Sequence, residues 1–501
     1  MQFWKRLFPD KQKTKPTEGH PYDLETLPTG ARLHHQDGFE LFQAGKLELA
    51  EIEFKRANEI APWHKLPLFM LVYALVHQNK ITQANEIIEE LLDDSPLDSF
   101  AIFLQAHIKF YLQEFEEALQ LYNKALYRRF WIANPYIERA WILIHIKEDF
   151  EKAKKDIEKI KLLDPENLAI YELGAKIAFH KNDHEKSLIL LNKGLEIDPN
   201  NEMLLLLRGS YFVETAGYEL AKNDLQQCLK INPNNPDTLY TIALIHFKKN
   251  ELEQAVELFT KVIEIDPKNY FAWTFRGRCL VFLEQYDEAI KSCTKAIEID
   301  PNDSLAYINR RHAFSRSKQY QKALADEDMI LALEKPTGLR LRAHTLVALE
   351  RYNEAIQYLD NLIEFSPNHA DAYNGRAWQK SYIGEHQEAI LDAEKAISLD
   401  DSKPNYHGTL GQAKWLMNDY EGALECYNQA LTLEDSDLYK LEKSIALSKL
   451  DKQDEAISLW QEATSENAEF QSAEAYQDKY RFAPPFYEAM QALEKLAQTG
   501  T

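Results

Sequence analysis

Residues 235–269 read NPDTLYTIALIHFKKNELEQAVELFTKVIEIDPKN, and residues 270–303 read YFAWTFRGRCLVFLEQYDEAIKSCTKAIEIDPND. The two stretches share a small residue near the middle and an Ile-Asp-Pro ending. Ala255 and Ala289 stand thirty-four positions apart, and each is followed twelve positions later by a proline, Pro267 or Pro301. Self-similarity at a fixed period of this length indicates an array of helical repeats.

The same spacing runs along most of the chain, and we call the recurring small residue the anchor. Five prolines from Pro165 to Pro301 follow one another at this same interval. The step from Ala323 to Ala355 is two positions shorter. The anchors are Ala50, Ala84, Ala118, Ala153, Ser187, Ala221, Ala255, Ala289, Ala323, Ala355, Ala389, Ala423 and Ala456. The sequence therefore predicts thirteen units.

Residues around each anchor explain why a unit should be a helix hairpin. Many units carry an aromatic residue three positions before the anchor, such as Tyr286, and another small residue seven positions after it, such as Ala296. Positions seven apart lie on one face of a helix. A glycine or alanine twelve positions before the anchor, such as Gly277, lets two helices approach closely. The proline lacks an N–H group and ends the second helix.

These units closely resemble the tetratricopeptide repeat family. The resemblance implies an all-α, right-handed superhelical solenoid of about thirteen helix-turn-helix repeats, with a concave groove that binds peptides or partner helices. We expect a disordered basic and aromatic segment at residues 1–30, the repeat array at 31–468 and a capping helix or tail at 469–501. The short step predicts a shortened loop at 335–338.

Composition restricts the class of protein. The chain has 501 residues, 45% of them hydrophobic, and a formal net charge of −22. Because no apolar run of about 18 residues occurs, an integral membrane protein is excluded. The negative charge argues against general affinity for nucleic acid. Four cysteines without a Cys-x-x-Cys pair predict buried thiols in a reducing compartment, so we expect a cytoplasmic protein.

The two ends differ from the array. Residues 1–15 combine Phe3, Trp4, Leu7 and Phe8 with lysines and an arginine. This pattern fits either a frayed start or a short basic anchor, Met1–Lys15, that contacts the inner face of a membrane peripherally. At the other end, Phe486, Met490, Leu493 and Leu496 fall on one helical stripe, which predicts a helix that caps the array.

No catalytic motif is present. The sequence has no glycine-rich phosphate loop, no Gly-x-Ser-x-Gly and no His-Glu-x-x-His. We therefore expect a protein that is not an enzyme and that needs no cofactor and no metal ion. The expected function is a scaffold or adaptor that binds a protein or peptide partner, and the sequence does not determine the oligomeric state.

Family members line the groove at fixed offsets before the anchor, and two sets of residues fall on these offsets. The first set is cationic and polar and predicts a partner-binding groove: Arg278, Asn309, His312, Arg316, Arg340, His344, Asn374 and Trp378. The second set is aromatic and predicts a second candidate groove: Phe69, Tyr73, Phe103, His107 and Phe110. An aromatic stripe at helical spacing also fits a packed core.

Arginine is concentrated around the first set. Nine of the seventeen arginines fall between residues 276 and 376, and residues 270–322 carry a net charge of +3. Guanidinium groups suit bidentate binding of carboxylate or phosphate. The same arginines also fit a surface ridge paired with neighbouring carboxylates. We expect an acidic segment of a partner protein as the ligand, with a phosphorylated or nucleic-acid ligand or a membrane-tethered assembly factor as alternatives.

One subset of the family holds the C-terminal carboxylates of chaperone tails with lysine and asparagine side chains. Asn309 matches the middle asparagine of that clamp. The neighbouring slots depart from it, since they hold Thr274, Arg278, Thr337 and Leu341. The resemblance therefore does not extend to that clamp, and a basic groove here needs its own geometry.

Overall fold

The computed structural model describes residues 24–94, 96–127, 133–465 and 472–499. The chain divides into two units, Met1–Ile245 and His246–Thr501. Within the described ranges every regular element is a helix and no strand occurs. The all-α fold class predicted from the repeats is confirmed.

The helices follow the repeat spacing. A short 3-10 helix, Leu24–Thr26, precedes the others. The next helices are α1 (Thr29–Gln43), α2 (Leu47–Ile60), α3 (Lys65–His77), α4 (Ile81–Asp94), α5 (Ser99–Tyr111), α6 (Phe115–Ala125), α7 (Asn134–His145), α8 (Phe150–Leu163), α9 (Ala169–His180), α10 (His184–Ile197), α11 (Glu202–Glu214), α12 (Tyr218–Ile231) and α13 (Pro236–Lys248). They continue with α14 (Leu252–Ile265), α15 (Tyr270–Phe282), α16 (Tyr286–Ile299), α17 (Ser304–Arg316), α18 (Tyr320–Leu333), α19 (Lys335–Ala348), α20 (Tyr352–Phe365), α21 (Ala370–Ile383), α22 (His386–Leu399), α23 (Pro404–Leu416), α24 (Tyr420–Leu433), α25 (Asp437–Lys449), α26 (Gln453–Ser465), α27 (Ala473–Tyr480) and α28 (Pro484–Thr499).

Each of the thirteen anchors lies in its own even-numbered helix from α2 to α26 and is buried. Small side chains there let the two helices of a unit pack closely. The glycine twelve positions before an anchor lies at the same contact between the two helices of the unit. A Cβ atom added at Gly277 would overlap Sγ of Cys293, so no larger residue fits without movement.

The turn inside each unit contains one residue with a left-handed backbone, five positions before the anchor. Glycine accepts this conformation most easily, and asparagine tolerates it. The turn residues are Gly45, Asn79, Gln113, Glu148, Asn182, Ala216, Asn250, Glu284, Lys318, Glu350, Gly384, Asn418 and Asp451. The residue after the turn often bonds back to the preceding helix, as from Gln285 N to Leu280 O at 2.9 Å. Such bonds satisfy carbonyl groups at the helix end.

The connection between units follows from the Asp-Pro-x-Asn sequence. Asp266 Oδ1 accepts a bond from Lys268 N at 3.1 Å, which closes a turn around Pro267. Asn269 Oδ1 then accepts a bond from Ala272 N at 3.0 Å and caps α15. Side chains of this type at a helix start satisfy N–H groups that have no partner inside the helix.

The shortened connection differs from its prediction. The sequence predicts a loop at residues 335–338, but these residues are the first turn of α19, which follows α18 after Glu334 alone. Pro336 fits there because the first turn of a helix needs no N–H donor. Gly338 is required by the close approach, since an added Cβ would lie 2.6 Å from the Leu331 backbone. The two missing residues are therefore loop residues.

The anchor assignment makes a prediction about stability. Ala289 is fully buried beside Leu280 and Ala313. Replacing Ala289 by leucine overpacks this contact and is expected to lower the free energy of unfolding by about 1–3 kcal/mol. Glu288→Ala, at an exposed neighbour, is the matched control and should be nearly neutral. Thermal melts followed by circular dichroism compare the two, and equal effects would contradict the assignment.

The C-terminal helix α28 packs on α23, α25 and α26. Phe486, Met490 and Leu493 are buried, and the ring centroids of Phe486 and Trp415 lie 5.0 Å apart. Leu496 differs from the predicted stripe because its side chain is exposed. The buried part of the stripe on α28 therefore consists of the other three residues.

Three further expectations concern membranes, metals and thiols. No described helix is long and apolar enough to span a membrane, and the segment Met1–Lys15 lies outside the described residues. Within the same ranges, no group of three or more His, Cys, Asp or Glu side chains could hold a metal ion. All four cysteines are buried and free. Burial raises the pKa of the Cys293 thiol to about 12, so this group is unreactive at neutral pH.

Candidate partner-binding site

The second candidate groove is wrong as an exposed surface. Phe69, Tyr73, Phe103 and His107 are buried, with at most 3% of their surface exposed. They pack against one another, and the Tyr73 and His107 rings stack with centroids 4.1 Å apart. Phe110 is half-buried between neighbouring aromatic rings. The offsets before the anchor place a residue on the first helix of its hairpin, but they do not say whether another helix covers it. Here the aromatic stripe is part of the packed core.

The buried aromatic stripe surrounds a carboxylate. Glu138 is 2% exposed and accepts bonds from His107 Nδ1 at 3.0 Å and from the hydroxyl groups of Tyr73 and Tyr122. Desolvation and the charge of Glu138 hold the pKa of both tyrosines well above the ordinary value. Both hydroxyl groups therefore remain protonated and donate to Glu138. This network stabilises the first unit and is closed to a partner.

Most of the concentrated arginines are also structural. In several units an arginine lies thirteen or fourteen positions before the anchor and an aspartate lies three positions after the anchor. The arginine binds the carboxylate of this aspartate. Arg310 donates from Nε to Oδ2 of Asp326 at 3.0 Å and from Nη2 to Oδ1 of the same carboxylate at 2.6 Å. Arg139, Arg208 and Arg376 make the same bidentate contact. These pairs join the two helices of a unit, as the paired-ridge interpretation predicted.

Three of the nine concentrated arginines, unlike the other six, make no hydrogen bond and no ion pair within the described residues. Arg278 places its guanidinium group 5.1 Å from the ring centroid of Phe247. Arg316 and Arg340 are exposed and have no hydrogen-bond or ion-pair partner in the described part of the chain. Exposed cations without partners remain available to a ligand.

A cavity of about 970 Å³ in the second unit brings most of the predicted cationic and polar set together. Six of its eight residues line this cavity, namely His312, Arg316, Arg340, His344, Asn374 and Trp378. The other two do not. Arg278 lies against Phe247, and Asn309 is buried, where its amide donates to Thr274 O at 3.3 Å. Asn309 therefore bridges two successive first helices and is not available to a ligand.

Positive charge dominates the lining. The cationic side chains are Arg311, Arg316, Arg340, Lys479 and Arg481, and the carboxylates are Glu284 and Asp371. Asp371 already accepts a bond from the Tyr406 hydroxyl at 2.6 Å. Walls of low dielectric strengthen the field of such a cluster, so the cavity attracts anions.

Arg311 belongs to the floor of the cavity and is held from below. Its Nε lies 2.7 Å from Oε1 of Glu327, and its Nη2 donates to Leu341 O at 3.0 Å and to Thr345 at 2.7 Å. Both charged side chains are at most 4% exposed. Desolvation raises the pKa of Glu327. This buried ion pair joins α17, α18 and α19 beneath the site.

Two histidines in the lining are neutral at physiological pH. Burial, followed by the charge of Arg311, lowers the pKa of His312 and of His344 to about 4. Arg316 and Arg340 lower both values further in the same direction. Neutral imidazole groups can donate or accept hydrogen bonds, and an anion placed beside them favours their protonation.

Among the lining residues that sequence reasoning missed are Lys479, Tyr480 and Arg481, which come from the end of α27 and the turn after it. Arg481 Nη1 donates to Val347 O at 3.3 Å, across 134 residues of sequence. The repeat offsets could not find these residues because they lie outside the array. The basic character of Lys479 and Arg481 in an acidic chain was the available signal.

Comparison with protein families agrees with the fold. A model described as tetratricopeptide repeat matches residues 204–235, 341–369 and 404–437. A model for subunit 3 of the anaphase-promoting complex, or cyclosome, matches residues 225–296. These matches confirm the resemblance to the tetratricopeptide repeat family that was seen in the sequence.

Several characterised proteins are similar to part of the chain. Small glutamine-rich tetratricopeptide repeat-containing protein 2 of Saccharomyces cerevisiae is 33% identical over 108 residues, which cover 22% of this chain and 31% of that protein. Hsp70-Hsp90 organizing protein 3 of Arabidopsis thaliana is 33% identical over 82 residues, or 16% and 15% of the two chains. DnaJ homolog subfamily C member 7 of Mus musculus is 30% identical over 111 residues, 22% of each chain. The chain thus spans less than a third of the length of each relative.

Among solved structures, the APC/C hetero-tetramer Cut9-Hcn1 is similar with a TM-score of 0.48 and 15% identity, over 95% of both chains. YrrB, described as a tetratricopeptide repeat protein with an unusual peptide-binding site, has a TM-score of 0.31 and 20% identity. That match covers 39% of this chain and 99% of YrrB.

Proposed function

We propose that this chain is a non-catalytic scaffold that binds proteins, and that the cavity of the second unit holds an acidic segment of a partner. One observation carries the proposal. Arg316 and Arg340 line the cavity, are exposed and have no ionic partner in the described ranges, whereas most arginines of the same stretch are paired. Carboxylates of a partner would supply the missing partners.

The rest of the lining suits a peptide. A cavity of about 970 Å³ is at the upper end of the range of about 300–1,000 Å³ that small ligands occupy. Trp378 and Phe282 offer aromatic surface to apolar side chains or to a peptide backbone. Asn374 and His312 are neutral and can bond peptide groups. Anionic and neutral parts of one segment would therefore both find contacts.

A peptide is favoured over nucleic acid because of the charge outside the site. The chain carries a net charge of −22, and outside residues 270–322 the balance is −25. A long polyanion extending from the cavity would meet this negative surface, whereas a short acidic segment would not. A membrane-tethered role depends on Met1–Lys15, which lies outside the described residues.

The test measures fluorescence polarisation of a labelled oligoglutamate peptide with the full chain. Arg316→Gln with Arg340→Gln removes two charge-assisted contacts of about 1.5–3 kcal/mol each, so we expect binding to weaken by about 100-fold or more. Binding to the unaltered chain should also fall steeply between about 50 mM and about 500 mM salt. The melting temperature should change little, since exposed cations contribute little to folding.

The matched control is Lys261→Gln with Lys291→Gln, which changes the net charge equally at exposed positions outside the cavity. It should bind the peptide as the unaltered chain does. Equal affinity of both double variants would move the site away from this cavity. Tighter binding of single-stranded RNA than of the peptide would favour the nucleic-acid alternative.

A further inference from the structure

An apolar surface continues from the cavity along the end of α15. Phe282, the last residue of this helix, lines the cavity, and 59% of its surface is exposed. The centroid of its ring lies 6.4 Å from that of Phe247, which is half-buried. Aromatic rings that interact have centroids at separations of about 4.5–7 Å. The two rings therefore form one partly exposed apolar surface at the edge of the cavity.

A cation lies on this apolar surface. Arg278 stands one turn before Phe282 on α15, and its guanidinium group lies 5.1 Å from the ring centroid of Phe247. This cation–π contact holds the group in place but brings no carboxylate to it. Arg278 is half-buried and makes no hydrogen bond and no ion pair within the described residues. A carboxylate of a ligand that lies next to the two rings can therefore bind Arg278.

The repeat spacing places this surface beside the cationic part of the cavity. Phe282 and Arg316 occupy equivalent positions of successive units, thirty-four residues apart, and both line the cavity. Their helices, α15 and α17, contact each other. The axes of packed helices lie about 8–10 Å apart, which is the length of about three residues of extended chain. A segment that crosses both helices would thus meet apolar surface on α15 and a cation on α17.

We propose that the acidic segment of the partner carries a large apolar residue that binds to Phe282 and Phe247, about three residues from the carboxylate that binds Arg316. Arg278 pairs with a carboxylate next to this apolar residue. The inference rests on the proposed function and adds to it the kind of partner, which is an acidic segment with an aromatic or large aliphatic side chain. Covering the exposed ring of Phe282 removes apolar surface from water and favours binding.

The experiment titrates the full chain with labelled oligoglutamate peptides that carry one phenylalanine, at either end, or a serine in the same place. The phenylalanine and serine peptides have equal length and charge. At one of the two ends, we expect phenylalanine to strengthen binding by about tenfold or more relative to serine. Phe282→Ala should remove this advantage and leave binding of the serine peptide unchanged. Phe282→Leu keeps an apolar side chain and should retain most of the advantage.

Arg278→Gln tests the cation beside the rings. It should weaken binding of the phenylalanine peptide by about tenfold, because one charge-assisted contact is lost. Phe271→Ala is the matched control for Phe282→Ala, since Phe271 is 51% exposed on the same helix and does not line the cavity. It should retain the advantage of phenylalanine in full. Circular dichroism verifies that each variant is folded.

Three results would overturn this inference and leave the proposed function standing, provided that binding is still lost in Arg316→Gln with Arg340→Gln. The first is equal binding of the phenylalanine and serine peptides to the unaltered chain. The second is an advantage of phenylalanine that persists in Phe282→Ala or is lost equally in Phe271→Ala. The third is unchanged binding in Arg278→Gln. Failure of every peptide to bind the unaltered chain would overturn both proposals.

Discussion

Glu327→Ala is expected to lower the free energy of unfolding of the second unit by about 3–5 kcal/mol. The substitution leaves the guanidinium group of Arg311 charged and buried, with no carboxylate beside it. A buried ion pair itself adds little to the free energy of unfolding. Removing one partner lowers that free energy strongly, because the remaining charge stays buried and still carries its desolvation penalty. Urea denaturation followed by circular dichroism measures the change.

The matched control for this prediction is Glu354→Ala. Glu354 also pairs with an arginine, Arg351, at 2.6 Å, but the two side chains are 48% and 44% exposed. Screening by water makes that pair worth little, so a nearly unchanged transition is expected. A Glu327→Ala protein as stable as the control would show that Arg311 is solvated, and the described floor of the cavity would be wrong.

In the first unit, Glu138→Ala is expected to destabilise by at least about 3 kcal/mol, because each buried donor left without an acceptor costs about 1–3 kcal/mol. The donors concerned are His107, Tyr73 and Tyr122. Because repeat units contact only their neighbours, the loss should be local. Hydrogen exchange should show faster opening of α3, α5 and α7, whereas α19 to α22 remain protected.

Glu116→Ala is the control for this substitution, since Glu116 is exposed and pairs with a surface lysine, Lys147. It should leave the exchange pattern unchanged. Equal protection of α5 and α7 in Glu138→Ala and in the control would contradict the network around Glu138.

The repeat period accounts for most of what the sequence could predict about the fold. Small residues such as Ala289 recur because the two helices of each unit touch at the anchor position. Prolines such as Pro301 recur because the second helix of a unit ends just before them. The exception is residues 335–338, where a proline suggested a loop. Proline also fits the first turn of a helix, and the lost residues came from the connection before it.

The site could be predicted only in part, for reasons of packing. The offsets selected His312, Arg340 and Trp378, and these residues line one cavity. They placed Tyr73 in the same way, yet its ring is buried, because offsets give the helix face and not what covers it. Asn309 was also predicted from the offsets, and its side chain is likewise buried.

One regular spacing in the sequence marks structural contacts that the predictions did not include. Arg310 and Asp326 are separated by an interval that recurs between arginine and aspartate in several units, where it marks structural ion pairs. The contact of Arg481 with Val347 joins positions 134 residues apart outside any period. Tertiary structure alone reveals such a contact.

The measurement that tests the central claim most directly is the titration of His312 and His344 by NMR, with and without the oligoglutamate peptide. Both histidines line the cavity, and burial with Arg311, Arg316 and Arg340 holds their pKa at about 4. Carboxylates bound in the cavity would stabilise the protonated rings, so we expect both pKa values to rise by about one unit or more on binding. Histidine pKa values that stay at about 4 in the presence of saturating peptide would contradict binding at this site.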